Sequence, residues 1–313
     1  MRNEKNIISI VVPVYNEKDC LEELYRRTTA VMSSVEKYDY EIVFFDDGST
    51  DNSRAIIETL CELDIHCKAV FFARNFGYNN AIFYAVQQAK GDCVVLLHAD
   101  LQNPPEVIPD FIKEWEQGRD VVFGVKNKSK ENKLMYAVRT LFYILMNVVF
   151  GMHLIPHATD FELADKSIVK SLRGTSYRDP FLRAILLELA RNKAIVTYTQ
   201  DRRVAGTTHF TLKKYYDLAV SWIVFSSKVL PRRFLCVGIV MFLAGVLELC
   251  FGFLPHLGGL NYLAISTPLL IRIAFLIFSA VICFMSIMAE YVIAGSNPVS
   301  KESVVEEEKR INY

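Results

Sequence analysis

Cys93–Gln102 reads CVVLLHADLQ, an apolar run that passes directly into His98, Ala99, Asp100, Leu101 and Gln102. A short apolar segment of this kind, closed by polar residues, is the pattern of a strand buried on both faces of a parallel sheet. In open α/β sheets ligands bind outside the carboxyl ends of the strands. The segment therefore predicts a fold class and marks one edge of a site.

The same pattern recurs on the N-terminal side. Ile7–Val12 (IISIVV) is a β-branched run ended by Pro13, and Glu41–Phe45 (EIVFF) is closed by Asp46-Asp47-Gly48-Ser49. Lys68–Phe72 is a further strand. Helical spacing of Cys20, Leu21, Leu24, Val31 and Met32 predicts a helix after the first strand, and others are expected over 51–63 and 76–89. Downstream, Val121–Val125 and Ala194–Thr199 read as strands and Asp179–Arg191 as a helix. Strands alternating with helices imply an α/β domain with a mostly parallel sheet, here over residues 1–210. Three polar clusters, Pro13–Glu17, Asp46–Ser49 and His98–Gln102, fall at strand ends. That coincidence is the strongest internal argument for a binding site.

The chain has 313 residues, is 52% apolar and carries no net charge, which gives no support for nucleic-acid binding. Its basic clusters, at Lys126–Lys133 and at Lys213, Lys214, Lys228, Arg232 and Arg233, lie beside apolar stretches and suit a membrane surface better. Seven scattered cysteines without a CxxC pair suit free thiols in a reducing compartment and offer no zinc site. No signal peptide is expected, because Asn6–Val14 leads straight into a strand.

Residues 234–254 and 269–293 each meet the roughly 20-residue requirement of a membrane-spanning helix. The connecting loop, 255–268, has no Lys or Arg, whereas Arg232 and Arg233 precede the first span and Lys301, Lys309 and Arg310 follow the second. By the positive-inside rule the α/β domain and the tail, 294–313, are expected to be cytoplasmic. Glu248 and Arg272 are expected to face each other or an oligomer interface, with outward snorkelling of Arg272 as the alternative. Residues 134–154 read as a span or, preferably, as an amphipathic helix on the bilayer, and 211–233 as a juxtamembrane amphipathic helix. The acidic run Glu306–Glu308 followed by Lys309 and Arg310 reads as a solvated, mobile end.

A nucleoside-diphosphate sugar needs its base and ribose gripped and its phosphates neutralised as the glycosidic bond breaks. A divalent cation on carboxylates is the usual means, and hard oxygen ligands suit magnesium or manganese. Asp100 is placed for this at a strand end, and Gln102 adds a carbonyl oxygen. Capping of the following turn is the structural alternative for Asp100.

Ser9–Glu17 (SIVVPVYNE), Glu41–Asp51 (EIVFFDDGSTD), Arg74–Gly77 (RNFG), Gly91–Glu106 (GDCVVLLHADLQNPPE), Asp160–Leu163 (DFEL) and Arg203–Thr207 (RVAGT) together resemble the family 2 glycosyltransferases of GT-A fold. The resemblance is to the polyprenyl- and dolichyl-phosphate sugar synthases, and the two C-terminal spans look like the bactoprenol glucosyltransferase branch. It implies a nucleotide pocket lined by Pro13, Tyr15, Glu17, Asp47, Asn75 and Ala99. It also implies that Asp100 and Gln102 hold the metal and diphosphate, that Asp160 lies near sugar and acceptor, and that Arg203 binds a phosphate. Lys126 stands where relatives carry arginine. The implied reaction is inverting transfer from a nucleotide sugar, UDP-glucose or a UDP-N-acetylhexosamine, to polyprenyl phosphate, with Mg2+ or Mn2+ as cofactor and a homo-oligomeric assembly.

His98 departs from the pattern, since relatives begin the acidic motif with aspartate; Gln200 and His209 likewise stand where basic residues are common. Three readings of His98 follow: a metal ligand or its neighbour, a hydrogen-bonding partner of the sugar, or the mark of an impaired site. Alternatives to the main function are transfer to another lipid acceptor and a non-catalytic nucleotide-binding homologue. A processive polymer synthase is disfavoured, because no QxxRW-like motif is present.

Overall fold

Strand β1 (Ile7–Val14) lies in the middle of the sheet because its residues are apolar on both sides, and Ile8, Ile10, Val11 and Val12 are fully buried. The computed structural model describes residues 6–126, 140, 144, 147–148, 151, 154–177, 180–200, 229–253, 269–295 and 305–313. These divide into two compact units: a sheet with its helices and the last residues of the chain, and a pair of long helices.

In the first unit, β1 is followed by α1 (Leu21–Ser33), β2 (Asp39–Asp46), α2 (Ser53–Leu63), β3 (Cys67–Phe72), α3 (Tyr78–Gln88), β4 (Cys93–Leu96), α4 (Ile108–Glu116) and β5 (Val121–Lys126). Then come β6 (Ala158–Asp165), α5 (Lys166–Leu172), α6 (Leu182–Leu189) and β7 (Lys193–Tyr198). Among the described residues the sheet has eight strands in the order β7-β5-β6-β4-β1-β2-β3-β8, where β8 is Glu307–Ile311. The run β4-β1-β2-β3 is parallel, and β7 is parallel to β5. Strand β6 is antiparallel to both β4 and β5.

Two apolar layers flank the sheet, as the continuous hydrophobic strands require. One gathers Ile10, Val12, Phe44, Phe71 and Val95 with residues of α1, α2 and α4. The other gathers Val11, Phe45, Phe72, Leu96 and Phe123 with residues of α3, α5 and α6. Phe44, Phe45, Phe71 and Phe72 are sheet core on alternate faces, as their sequence context suggests.

The tail departs from expectation. Instead of a solvated end, Glu307–Ile311 pairs antiparallel with β3. Ala73 N–H donates to Glu306 O at 3.0 Å, and Asn312 Nδ2 donates to the carbonyls of Cys61 and Cys67 at 2.7 and 3.0 Å. The dense charge of this segment masks a strand that needs β3 as its template.

The second unit contains α7 (Val229–Phe253) and α8 (Leu269–Gly295). Within them Pro231–Cys250 and Leu270–Val292 are long and apolar enough to cross a membrane. Arg272 Nε lies 3.7 Å from Glu248 Oε1, so the expected facing pair forms within the helix pair. Arg232 Nε donates to Glu290 Oε1 at 2.7 Å. The helix expected over 134–154 falls almost wholly outside the described residues, as do residues 211–228 and Arg203.

Candidate active site

Parallel pairing brings the three polar clusters to one end of the sheet. Val14 aligns with Asp46 across β1 and β2, and Val11 with Leu96 across β1 and β4. Beyond the strands Asp47 N–H donates to Val14 O at 2.9 Å, and Leu97 N–H donates to Val11 O at 2.9 Å. Pro13 aligns with Phe45, and Glu17 N–H donates to Ser53 Oγ at 3.0 Å, so this segment runs beside the end of β2 and the loop after it. Asn16, which the sequence did not single out, clasps the first two loops. Its Oδ1 accepts from Thr50 N–H and Asp51 N–H at 2.8 and 3.2 Å, and its own N–H donates to Ser49 Oγ at 3.0 Å.

Asp47 is 4% exposed and accepts from Phe76 N–H at 2.7 Å and Gly77 N–H at 3.0 Å. Burial pushes its pKa up to about 6, against the opposing pull of those two amides. Its carboxylate therefore anchors the Arg74–Gly77 loop that carries Asn75. Gly48 is needed beside it: φ is +69°, and a Cβ there would lie 2.7 Å from Arg74 C, so any side chain would displace the loop.

After β4 the chain turns sharply at Leu101, whose φ of +57° is unusual for a branched residue. The Leu101 side chain is fully buried, whereas Asp100 and Gln102 on either side of it are half-buried. Asp100 Oδ1 accepts from Gln102 N–H at 3.1 Å, and Gln102 Oε1 accepts from Gln200 Nε2 at 3.0 Å. Ala99 is 3% exposed, so it contributes backbone and shape. These two side chains offer hard oxygens from one turn, a set that fits magnesium or manganese completed by phosphate oxygens. Among the described residues no three His, Cys, Asp or Glu side chains converge as a self-sufficient metal cluster.

His98 is engaged elsewhere. Its Nδ1 lies 2.9 Å from Asn103 Nδ2 and its Nε2 lies 2.7 Å from Tyr78 Oη. In this arrangement both ring nitrogens are engaged by protein groups.

Tyr78 also donates to Asp160 Oδ2 at 2.9 Å, and Arg183 forms an ion pair with Asp160 Oδ1. Arg183 Nη1 further donates to Ala158 O at 2.7 Å. Burial acts to raise the Asp160 pKa, but the Arg183 charge, His98 and the hydrogen bonds from Arg183 and Tyr78 together hold it below the ordinary aspartate value. Tyr78 is 40% exposed overall, yet its hydroxyl is held between His98 and Asp160, and desolvation there, with the charge and hydrogen bond of Asp160, keeps that phenol well above the usual range. Lys126 ends β5 in register with Tyr198. Tyr78, Asn103, Arg183 and Tyr198 escaped the sequence reading. Tyr78 directly follows RNFG, which was its one available signal, whereas Arg183 is a lone cation in an apolar helix.

A model of glycosyl transferase family 2 matches residues 9–173, and the chain belongs to this family of glycosyltransferases. A prophage bactoprenol glucosyl transferase homolog of Escherichia coli is 32% identical over 235 residues, covering 75% of this chain and 76% of the relative. An undecaprenyl-phosphate 4-deoxy-4-formamido-L-arabinose transferase of Shewanella sediminis is 33% identical, covering 70% and 66% respectively. Among solved structures, glucosyl-3-phosphoglycerate synthase of Mycobacterium tuberculosis, in complex with Mn2+, UDP and phosphoglyceric acid, superposes with a TM-score of 0.52. It is 17% identical, with 70% of this chain and 76% of that one covered. This likeness is one of fold, and it agrees with the GT-A expectation.

Proposed function

We propose that the protein transfers a sugar from a nucleoside-diphosphate donor, UDP-glucose or a UDP-N-acetylhexosamine, to a polyprenyl phosphate at the cytoplasmic leaflet. The observation that carries this reading is the pairing of the Asp100–Gln102 oxygens with the Asp160–Arg183 ion pair in a chain that also holds two membrane-length helices. The relatives named for bactoprenol and undecaprenyl-phosphate transfer support the acceptor class.

Asp100 and Gln102 would hold a divalent cation, whose charge offsets that developing on the departing diphosphate. The Pro13–Glu17 segment, with Asp47 and the loop it anchors, would cradle the nucleotide. Arg183 keeps Asp160 ionised and fixed in direction. An oxygen of the lipid phosphate attacks the anomeric carbon as the carbon–oxygen bond to the nucleoside diphosphate breaks, giving inversion and a nucleoside diphosphate. A phosphate monoester has its second pKa near 6, so the nucleophile is largely ionised at neutral pH and needs no strong base. Positioning and charge compensation then supply most of the acceleration.

The path of the chain favours a hairpin anchor. It leaves the sheet, passes through both long helices and rejoins the sheet as β8, so two crossings would return it to the side it left.

The test is mass spectrometry of the lipid product formed by purified protein with Mn2+ or Mg2+, mixed nucleotide sugars and a polyprenyl phosphate. A polyprenyl-phosphate hexose is expected, and Asp100→Asn should lower its rate by about 100-fold or more, a typical loss for a group stabilising developing charge. Nucleotide binding without any lipid-linked product would overturn the reading.

A further inference from the structure

His98, Tyr78 and Asp160 belong to a chain of hydrogen bonds whose two ends, Thr159 and Asp160, are neighbours on β6, so that the backbone closes it into a ring. Thr159 Oγ lies 2.8 Å from Tyr198 Oη, and Tyr198 donates to Asn103 Oδ1 at 2.6 Å. Asn103 Nδ2 then meets His98 Nδ1, His98 Nε2 meets Tyr78 Oη, and Tyr78 donates to Asp160.

With the Asn103 carbonyl turned toward Tyr198, each shared proton from Tyr198 to Asp160 has one place. Because the Asn103 carbonyl accepts from Tyr198, its amide nitrogen faces His98 and donates to Nδ1. That assigns the neutral tautomer with hydrogen on Nε2. Nε2–H donates to Tyr78 Oη, which leaves the Tyr78 hydroxyl proton for Asp160. Tyr198 spends its proton on Asn103, which leaves Thr159 as the donor in their contact, a proton it shares with Gly124 O at 3.3 Å. The ring thereby links β7, the turn that carries Asp100 and Gln102, the start of α3 and β6.

We propose that His98 and Tyr78 are positioning residues, which together fix Asp160 relative to the Asp100–Gln102 turn. The proposal rests on the reading of Asp160 as a group beside sugar and acceptor. It explains why a histidine stands in an acidic motif: aspartate at this place cannot donate to Tyr78, and it would set a negative charge beside Asp160. The ring gains a donor instead.

The first measurement needs no turnover. In protein labelled with 15N-histidine, the His98 signal, assigned by its loss in His98→Gln, should show the neutral tautomer protonated at Nε2. It should shift in Tyr78→Phe; the opposite tautomer, or no response to Tyr78→Phe, would overturn the ring. Calorimetric UDP binding with Mn2+ should change less than threefold in His98→Gln, whereas loss of a metal-determining partner would weaken it by about 10- to 100-fold.

Turnover supplies the second arm. Tyr78→Phe should lower kcat by about 10- to 100-fold, the scale of a modest misplacement, with KM for the nucleotide sugar within threefold. His98→Asp should fall as far, while His98→Gln, whose amide restores a donor to Tyr78, should lose less than tenfold. The double variant Tyr78→Phe with His98→Asp should be no worse than either single one, since both break the same ring. His98→Asp matching or exceeding the unmodified enzyme would overturn the proposal. If the unmodified enzyme makes no lipid-linked sugar, the proposed function fails while the tautomer measurement still decides the ring.

Discussion

Glu162 lies two residues from Asp160 on β6, on the same face of the strand by the two-residue side-chain period, yet the two carboxyls behave in opposite ways. Glu162 is 2% exposed, in register with Leu96 and Phe123, and among the described residues neither of its oxygens has a hydrogen-bond partner. Burial first, and then the negative charge of Asp160, push its pKa up to about 8, against the pull of Arg183. Asp160 is held down by that same Arg183. At neutral pH one acid is ionised and its neighbour protonated, a division set by surroundings alone. The folded chain keeps a proton on Glu162 that the unfolded chain releases above the ordinary value of 4.5. Its effect on stability is therefore nil below that value, grows more adverse as pH rises toward about 8, and is constant above. Glu162→Gln should remove this slope and stabilise the protein at pH 8.5 by up to a few kcal/mol. Thermal midpoints of both proteins at pH 5.5, 7 and 8.5 check it, and parallel curves would refute it. Among the residues that form the site, those at strand ends were legible because each interrupts an apolar run: Asp47, Asp100 and Gln102 announce themselves. Arg183 and Tyr198 were not, because tertiary packing alone brings α6 and β7 to Asp160.

Among the elements, β8 shows most clearly where sequence patterning stops being informative. A buried strand such as β4 is recognisable from its own composition, but EEEKRI carries charge at five of its six positions and resembles a soluble tail. Its strand conformation comes from β3, whose outer backbone groups would otherwise be bare, a liability that a charged edge strand covers well. The charges are used locally. Lys309 Nζ donates to Glu58 Oε1 at 2.7 Å, Arg54 Nη2 to Glu308 Oε2 at 2.9 Å, and Tyr84 donates to Glu307. Tyr313 donates to Gln88 O, with Lys90 Nζ 4.3 Å and Arg310 Cζ 4.5 Å from its ring centre. Exposed ion pairs contribute about 0 to 1 kcal/mol each, so the ladder and the packing of Tyr313 should dominate. Ending the chain after Val304 should lower the melting temperature by several degrees and promote aggregation through the uncovered β3 edge. Tyr313→Ala should cost about 2 kcal/mol by lost aromatic burial, below the range for a fully enclosed ring. Light scattering and thermal unfolding measure both effects; an unchanged melting temperature on truncation would mean that β8 adds nothing to the sheet.

At the scale of the whole chain, the two long apolar helices were legible, since unbroken apolar length survives without tertiary context: Val229–Phe253 and Leu269–Gly295 fall on the expected 234–254 and 269–293. Their orientation is a separate matter, argued from charge and from chain path. Loop 255–268 lacks Lys and Arg, basic residues stand on either side of the helix pair, and the chain rejoins the sheet after the second helix. Under the proposed topology, 255–268 would lie across the membrane from the sheet. In a background without native cysteines, Ser266→Cys should react with a membrane-impermeant maleimide added to intact cells. Ser303→Cys should react only after permeabilisation. A protected Ser266→Cys, or early labelling of Ser303→Cys, would overturn the hairpin. The same geometry gives the Glu248–Arg272 contact a definite consequence. A lone charge within the bilayer is costly, and removing one partner strands the other without its counter-charge. Glu248→Gln and Arg272→Gln should each weaken the helix pair, while the double variant should be less harmful than the sum of the two. Detergent-resistant unfolding of the four proteins measures that difference, and strict additivity would show that the two side chains, although 3.7 Å apart, do not act as a pair.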